Sequence, residues 1–286
     1  MGYFNANLDA LNFKLFETHA LLKPYVHSYW LIQKKDFKKE MIYKILSDAS
    51  MGFSINFAKP YFSKMNNNTF DCITNFSIDG PTKYPTYLHF DKELYIIGVR
   101  FKTAGAYVFF EEKIESFADK NTPLHNTKNW PLDALYSTLI SKNTVEERIK
   151  EIENFLIKKL QESKKKNAPW MFPLISKVLD NKGDITLDSL CKDFDISIRQ
   201  MERSFKKEIG LSPKVFLRVI RMRNAKDLLN KLDLESFTKT AHETGFFDQS
   251  HFIREFKFFM KETPKNYYKN KLSLIKLSDF KTYPSK

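Results

Sequence analysis

The sequence has very little cysteine and no long hydrophobic run. Its two cysteines, Cys72 and Cys191, are too few for a disulfide scaffold or a cysteine-rich zinc site. No apolar stretch reaches the roughly 18 residues of a membrane-spanning helix. The first residues also lack the basic segment and apolar stretch of a signal peptide. We therefore expect a cytoplasmic protein that has no membrane partner.

Arginine is scarce, but it is concentrated in one part of the chain. The 286 residues include 39 lysines and only 8 arginines, and the formal net charge is +13. Six arginines lie between positions 199 and 254: Arg199, Arg203, Arg218, Arg221, Arg223 and Arg254. The guanidinium group forms paired hydrogen bonds with phosphate and with guanine, which lysine cannot do. The cluster therefore indicates a nucleic-acid surface, although chance and helical preference are the alternative explanation.

Residues 1–142 contain several short runs with the period of β-strands. Tyr95, Ile97, Val99 and Phe101 alternate with their neighbours, which predicts a half-buried strand. Other strand-like runs occupy residues 29–33, 52–58, 74–78 and 86–90, and turn-rich pieces separate them. Such a series of short strands favours a barrel or a sandwich.

The hydrophobic period changes to that of a helix after residue 143. Residues 144–147 fit a capping box, and five apolar side chains then form one stripe: Val145, Ile149, Ile152, Leu156 and Leu160. The stripe could pair with a second copy of the chain or pack on its own barrel. Residues 164–169 combine consecutive lysines with a proline, which predicts an exposed linker. We therefore divide the chain into residues 1–142, 143–168, 169–270 and a tail of 271–286.

The helical region contains an internal repeat. Seven positions correspond at an offset of 51, five of them with identical residues and two with conservative replacements: Arg203, Phe205, Lys206, Ser212, Pro213, Lys214 and Phe216 correspond to Arg254, Phe256, Lys257, Thr263, Pro264, Lys265 and Tyr267. Upstream, Cys191 corresponds to Ala241 at an offset of 50, so the second turn is one residue longer. Each unit has the order of a helix-turn-helix.

The second helix of each unit is amphipathic. Met201, Phe205 and Ile209 share one face of the first, and Phe252, Phe256 and Met260 share one face of the second. The opposite faces carry arginine and hydrogen-bonding groups. A recognition helix needs this design, since one side docks on the domain while the other enters the major groove of DNA. Two repeats with arginine at the same place predict a double-stranded DNA partner rather than an ordinary solvated surface.

Residues 185–270 resemble the DNA-binding domain of AraC/XylS-type transcription regulators. The segment Leu211–Leu229 looks like the helix that joins the two units in that family, and Gly245–Lys257 resembles its most diagnostic string. Thr263–Tyr267 follows as it does there. Three features depart from the family pattern: Cys191, which is a mild change, Thr240, and the polar residues 242–244. They affect the expected packing and affinity of the second unit, but not the fold.

The resemblance implies that the two recognition helices enter successive major grooves. The expected base-reading residues are Ile198, Arg199, Gln200, Arg203, Gln249, Ser250, His251 and Arg254. Ile198 is a candidate contact for a thymine methyl group. Glu202 would accept a hydrogen bond from cytosine or orient a neighbouring arginine. The expected phosphate contacts are Lys206, Lys207 and Lys257.

The N-terminal region resembles, more weakly, the sensor domain of some of these regulators. Residues 22–30 and 98–106 carry the likeness. It implies an α+β protein, with a cupin-like β-barrel and helices, a linker helix, and an all-α C-terminal domain. It further implies a bacterial activator whose partners include RNA polymerase, a small-molecule effector or a second copy of the chain. Arg100 would bind an acidic effector inside the barrel or pair with a carboxylate of the protein.

Enzyme functions have little support in the sequence. His19, His27, His89 and His125 are scattered rather than paired, so we expect no metal site. DNA-repair alkyltransferases fuse a nucleophilic cysteine to a similar helix-turn-helix domain, but Cys72 lacks a neighbouring residue to activate it. We expect no catalytic residue and no cofactor. A non-sensing architectural DNA-binding protein is a further alternative.

Overall fold

The computed structural model describes residues 11–36, 40–65, 70–123, 130–229 and 245–269. Two antiparallel sheets form the N-terminal part, and helices form the C-terminal part. The strands are β1 (Lys14–Phe16), β2 (Val26–Lys34), β3 (Met41–Ile45), β4 (Gly52–Asn56), β5 (Tyr61–Lys64), β6 (Asp71–Ile73), β7 (Phe76–Asp79), β8 (Thr86–Phe90), β9 (Leu94–Phe101) and β10 (Asn121–Pro123). One sheet has the order β1-β2-β9-β4-β7-β10, and the other has the order β3-β8-β5-β6.

Strand β9 lies inside the six-stranded sheet, between β2 and β4. The sequence predicts that one face of this strand is exposed, and this prediction is wrong. Ile97, Val99 and Phe101 belong to the core under the helices, while Ile96 belongs to a second core cluster that includes side chains of the other sheet. Helices cover one face of the strand and the second sheet covers the other, so the alternation does not separate buried from exposed positions.

Glycine is required at one point of contact between β2 and β9. Gly98 pairs with Trp30 across the strands. A Cβ atom at position 98 would lie 1.9 Å from the nearest ring atom of Trp30. The missing side chain therefore makes room for the indole ring, which also lines the space between the two sheets.

The strands that the sequence predicts are present, with shifted ends in most cases. The run 86–90 coincides with β8, and the runs 29–33, 52–58 and 74–78 overlap β2, β4 and β7. Strands β1, β3, β5, β6 and β10 were not predicted. Three of them have only three residues, too few to show a period of two.

Two helices pack on the six-stranded sheet: α1 (Leu132–Ile140) and α2 (Val145–Glu162). The predicted capping box is present at the start of α2, where Thr144 and Glu147 exchange hydrogen bonds. Ile149, Ile152 and Leu156 are buried in the core of their own domain. The apolar stripe thus takes the second of its two predicted arrangements, with its central residues packed on their own barrel.

The C-terminal part is helical throughout its described residues. Its helices are α3 (Met171–Asp180), α4 (Leu187–Phe194), α5 (Ile198–Glu208), α6 (Pro213–Leu229) and α7 (Gln249–Met260), followed by helical residues 264–269. Backbone N–H groups at the starts of α6 and of the last helix donate to the hydroxyls of Ser212 and Thr263, as the Ser-Pro and Thr-Pro pairs predict. The predicted first helix of the second unit, with Thr240, Ala241 and residues 242–244, lies outside the described residues, as does the tail.

The two domains share a hydrophobic core at their junction. Leu46, Ala49 and Ala104 of the N-terminal domain pack among the buried side chains of the helical domain. The connecting segment is attached rather than freely exposed, because the ammonium group of Lys165 donates to the carbonyl oxygens of three consecutive residues, at 2.6, 2.8 and 3.1 Å. The prediction of an exposed linker therefore holds for Lys164 and Lys166 but not for Lys165.

Candidate nucleic-acid interface

The first helix-turn-helix unit consists of α4, a short turn and α5. Asp195 adopts a left-handed conformation at the end of α4, with φ of 49°. The Ser197 hydroxyl then accepts a hydrogen bond from the backbone N–H of Gln200, which starts α5. Met201 and Phe205 are buried. The turn thus fixes α5 against the domain by its apolar face and leaves the other face in solvent.

The described part of the second unit repeats this geometry. Gly245 takes the left-handed conformation, with φ of 70°, and a Cβ atom there would lie 2.3 Å from the carboxyl carbon of Asp184. The Asp248 carboxylate accepts from the backbone N–H of His251 at 2.6 Å and starts α7. Phe252 and Phe256 are buried. Helix α7 is therefore held in the manner of α5, with a carboxylate in place of the hydroxyl.

The structure leaves most of the predicted base-reading side chains exposed. Seven of the eight are exposed: Ile198, Arg199, Gln200, Arg203, Gln249, Ser250 and Arg254. His251 is only partly exposed, because its ring meets the ring of Phe246 edge-on with centroids 5.5 Å apart. Glu202 is exposed beside the arginines of α5. Each helix thus presents one accessible face of hydrogen-bonding groups.

The lysines expected at phosphates fall into two groups. Lys206 lies 3.9 Å from the carboxylate of Glu115, and the ammonium group of Lys207 lies 5.0 Å from the ring centre of Tyr107. Both partners belong to the N-terminal domain. Lys257 is exposed on α7. The C-terminal end of α5 therefore faces the neighbouring domain.

Three of the clustered arginines lie on the connecting helix α6 and bind groups of the protein outside that helix. Arg218 forms two hydrogen bonds of 2.8 Å with the Glu255 carboxylate of α7. Arg221 donates to the carbonyl oxygen of Gly183 at 2.9 Å, and Arg223 lies 3.9 Å from the Asp48 carboxylate. The six clustered arginines thus fall into two groups, and the three on α6 hold the protein together. The exposed half consists of Arg199, Arg203 and Arg254.

A cavity of about 130 Å³ lies between the two sheets of the N-terminal domain. Aromatic and aliphatic side chains form most of its wall, including Trp30, Tyr43 and Tyr61, and the polar groups include Asp79 and Arg100. A single water needs only about 10–15 Å³ on such a scale. The space between the two sheets therefore has room for a small molecule, and the side chains of the domain do not fill it.

Asp48 connects this cavity to the helical domain, and sequence reasoning missed it. Its carboxylate forms an ion pair with Arg100 at the cavity wall and lies 3.9 Å from Arg223 of α6. Arg100 thus has a protein carboxylate as its partner while it lines the cavity. Burial, together with the charges of Arg100, Lys102 and Arg223, lowers the pKa of the nearby His27 to about 4. The junction is therefore a cationic cluster built around one carboxylate.

Among the described residues, the surroundings of the two cysteines show no arrangement typical of catalysis. Cys72 is exposed on β6, and burial raises the pKa of the Cys191 thiol, which disfavours its reactive thiolate form. Among the residues that the structure describes, no three histidine, cysteine, aspartate or glutamate side chains are grouped so that they could hold a metal ion. No helix in the described ranges is long and apolar enough to cross a membrane.

The described residues form a two-sheet domain followed by one complete helix-turn-helix unit and part of a second, an arrangement typical of two-domain DNA-binding proteins. Residues 190–270 match the family described as "Helix-turn-helix domain", and residues 15–123 match a "Domain of unknown function (DUF6597)". The resemblance drawn from the sequence is confirmed: the C-terminal third of this chain is an AraC/XylS-type helix-turn-helix domain.

Curated relatives match about a third of the chain. The HTH-type transcriptional activator RhaS of Escherichia coli (strain SE11) is 30% identical over 99 residues, which are 34% of this chain and 35% of the relative. RhaS of Pectobacterium carotovorum subsp. carotovorum (strain PC1) is 30% identical over 83 residues, 29% of each chain. The chain therefore matches about a third of the length of these relatives.

Similar solved structures include one that covers most of this chain and one that covers about a third of it. ToxT from Vibrio cholerae is 12% identical, with 85% of this chain and 98% of that chain covered and a TM-score of 0.46. The C-terminal domain of AraT, a response regulator from Geobacillus stearothermophilus, is 26% identical over 37% of this chain and 88% of that chain, with a TM-score of 0.34.

Proposed function

We propose that this protein is a sequence-specific DNA-binding transcription regulator of the AraC type. The observation that carries the proposal is that α5 and α7 each start at a capping side chain and expose an arginine-bearing face. The N-terminal residues of a recognition helix are the ones that contact base edges. Helices α5 and α7 would enter successive major grooves about 34 Å apart, with α6 as the rigid spacer between them.

The exposed side chains would divide the work of recognition. Arg199, Arg203 and Arg254 would form paired hydrogen bonds with guanine, and Gln200 and Gln249 would do so with adenine. Ser250 and the partly buried His251 would add single contacts, and Ile198 would touch a thymine methyl group. Lys257 is the best placed of the three lysines to contact a phosphate, because Lys206 and Lys207 lie against the N-terminal domain.

The N-terminal domain would modulate this binding through a small effector. The cavity between the sheets supports a sensing role over the alternative of a purely architectural DNA-binding protein. Asp48 gives the cavity a route to α6, since its carboxylate faces both Arg100 and Arg223. Displacing Arg100 from Asp48 would alter the contact with the helix that spaces the two units.

The remaining partners follow from the class of regulator. The bacterial RhaS relatives are described as transcriptional activators, which supports activation through RNA polymerase in the cytoplasm. A homodimer would need a surface other than the centre of the α2 stripe, because Ile149, Ile152 and Leu156 pack inside their own domain. The alkyltransferase alternative has no support from the surroundings of Cys72.

Selection of duplexes from a random pool by the full chain tests the proposal. We expect a recovered consensus with two half-sites whose centres lie about one helical turn apart. Arg203→Ala should then reduce the affinity for that sequence by about 1–3 kcal/mol and relax the preference at one base pair, because a bidentate base contact is lost. The measurement is a binding titration with matched and mutated duplexes.

Lys257→Ala is the matched control on the other recognition helix. It should weaken binding to all duplexes alike and lower the slope of affinity against salt by about one unit, because one phosphate contact is lost. A wild-type chain that enriches no sequence would overturn the proposed function. An equal loss on specific and random DNA for Arg203→Ala would overturn its base-reading role.

A further inference from the structure

The turns of the two units differ by one residue, and the structure identifies that residue. In the first unit, one residue, Ile196, separates the left-handed Asp195 from the capping Ser197. In the second unit, Phe246 and Phe247 separate the left-handed Gly245 from the capping Asp248. The longer turn that the repeat predicts is therefore located between Gly245 and Asp248.

Phe246 packs on the start of α7 as Ile196 packs on the start of α5. An apolar residue just before a helix cap commonly packs on the first turn of that helix. Ile196 is buried in the same core cluster as Met201, and Phe246 is buried with its ring centre 5.3 Å from that of Phe252. Met201 and Phe252 are the fourth residues of their helices. Because Phe246 fills this role, the second unit has no packing need for Phe247.

Phe247 instead projects into solvent. Its side chain is 88% exposed, the largest exposed fraction among the large apolar side chains of the described residues. An isolated exposed apolar residue is ordinary on a protein surface. This one, however, is the extra residue of a turn and stands directly before the capping residue of the helix that would enter the DNA. Its position, rather than its exposure alone, calls for an explanation.

We propose that Phe247 reads thymine in the half-site of the second unit. This inference rests on the proposed function. The thymine methyl is the apolar group that base edges display in the major groove, and apolar side chains recognise it by contact. In the first unit the exposed apolar residue at the helix start is Ile198, whereas the corresponding position on α7 holds Gln249. Phe247 supplies the apolar contact from two positions earlier, so the two half-sites differ in where thymine is preferred.

Replacement of thymine by deoxyuridine, which lacks only the methyl group, tests this assignment. The selected operator is prepared with deoxyuridine at each thymine of the second half-site in turn, and the full-length wild type, Phe247→Ala and Phe70→Ala are titrated against each duplex. Phe70 is a 42% exposed phenylalanine of the N-terminal domain and serves as the matched control.

We expect at least one deoxyuridine substitution to weaken wild-type binding about fourfold, the value of one buried methyl group. Phe247→Ala should bind the thymine operator about tenfold more weakly and be indifferent to that substitution, with an unchanged melting temperature. Phe70→Ala should behave as wild type does. If Phe247→Ala responds to every deoxyuridine as wild type does, or binds equally tightly, the inference is overturned. Failure of the wild type to select any operator would instead overturn the proposed function.

Discussion

Asp79 is a carboxylic acid in an apolar wall. It lies on β7 and lines the cavity between the sheets, where its charge acts on the hydroxyl of Tyr61. Burial raises its pKa from the ordinary value of 3.8 to about 7. Desolvation disfavours the charged form, so the folded protein keeps the proton that the unfolded chain releases.

Asp79→Asn should therefore change how stability depends on pH. The folded-state pKa lies above the unfolded one, so the wild type loses stability as pH rises from about 4 to about 7 and no more above that range. The neutral amide does not titrate, and the variant should gain about 2–4 kcal/mol relative to wild type between pH 4.5 and 8. Urea unfolding at a series of pH values measures this difference.

Asp91→Asn is the control, because Asp91 is exposed in the turn between β8 and β9. The free energy of unfolding of this variant should differ from that of the wild type by the same amount at every pH. A parallel course for Asp79→Asn as well would show that the carboxyl group is already solvated in the folded protein.

The arginines illustrate how far residue-level prediction reaches. Helical spacing placed Arg199 and Arg203 on the face opposite Met201 and Phe205, and that face is exposed. The same spacing could not show that Arg218 lies opposite Glu255, because 37 residues separate the two in sequence. Local periodicity shows which side of a helix is polar, whereas a distant partner depends on how helices cross. The same limit explains why Asp48 was missed.

At the scale of elements, α6 and α7 are joined by a forked ion pair. Arg218 donates two hydrogen bonds of 2.8 Å to Glu255, and its guanidinium group lies 5.1 Å from the ring centre of Phe258. Fork-to-fork geometry fixes direction as well as distance. The pair therefore sets the angle between the connecting helix and the second recognition helix.

Glu255→Gln should loosen the second unit. Glutamine keeps one acceptor oxygen and replaces the other with a donor, so one of the paired bonds is lost and the other becomes a bond to a neutral acceptor. We therefore expect the free energy of unfolding to fall by about 1–3 kcal/mol and operator affinity to fall with it. Guanidinium unfolding and a binding titration measure the two effects. Glu93→Gln, an exposed glutamate before β9, should change neither. Identical behaviour of the two variants would mean that hydrophobic packing alone orients α7.

Element-level prediction succeeded where one face of an element meets water. Helices α2 and α5 each bury one stripe, and their apolar spacing identified both. It failed for β9, whose two faces are both covered. It also could not choose between the two packing modes of the α2 stripe, because a second copy and a parent barrel offer the same apolar surface.

At the scale of the molecule, the junction between the domains combines apolar and charged contacts. Asp48 faces Arg100 in its own domain and Arg223 in the other. Lys44 of β3 reaches Glu262 beyond α7 at 2.6 Å. The junction thus contacts the DNA-binding domain at two places, the connecting helix α6 and the segment after α7.

Asp48→Asn should uncouple the two domains. Without the carboxylate, Arg100, Arg223 and Lys102 remain as like charges at one place, and the largely buried ion pair of Asp48 with Arg100 loses one partner, which destabilises the junction. We expect calorimetry to show a single transition for the wild type and two separate transitions for the variant. Asp188→Asn, at an exposed position of α4, is the control and should keep the single transition. A single transition in all three chains would assign the coupling to the shared apolar core.

That shared core also limits how this DNA-binding domain can be reused. Leu46, Ala49 and Ala104 fill part of the hydrophobic interior of the helical domain from outside its own sequence. A gene fusion that joins residues 169–286 to an unrelated sensor would leave exposed the apolar surface that Leu46, Ala49 and Ala104 cover. Chimeras should therefore express poorly unless the donor sensor brings three small or aliphatic side chains to the same place. An exchange of sensor domains during evolution would then have to keep the three apolar side chains that the sensor packs against the helices.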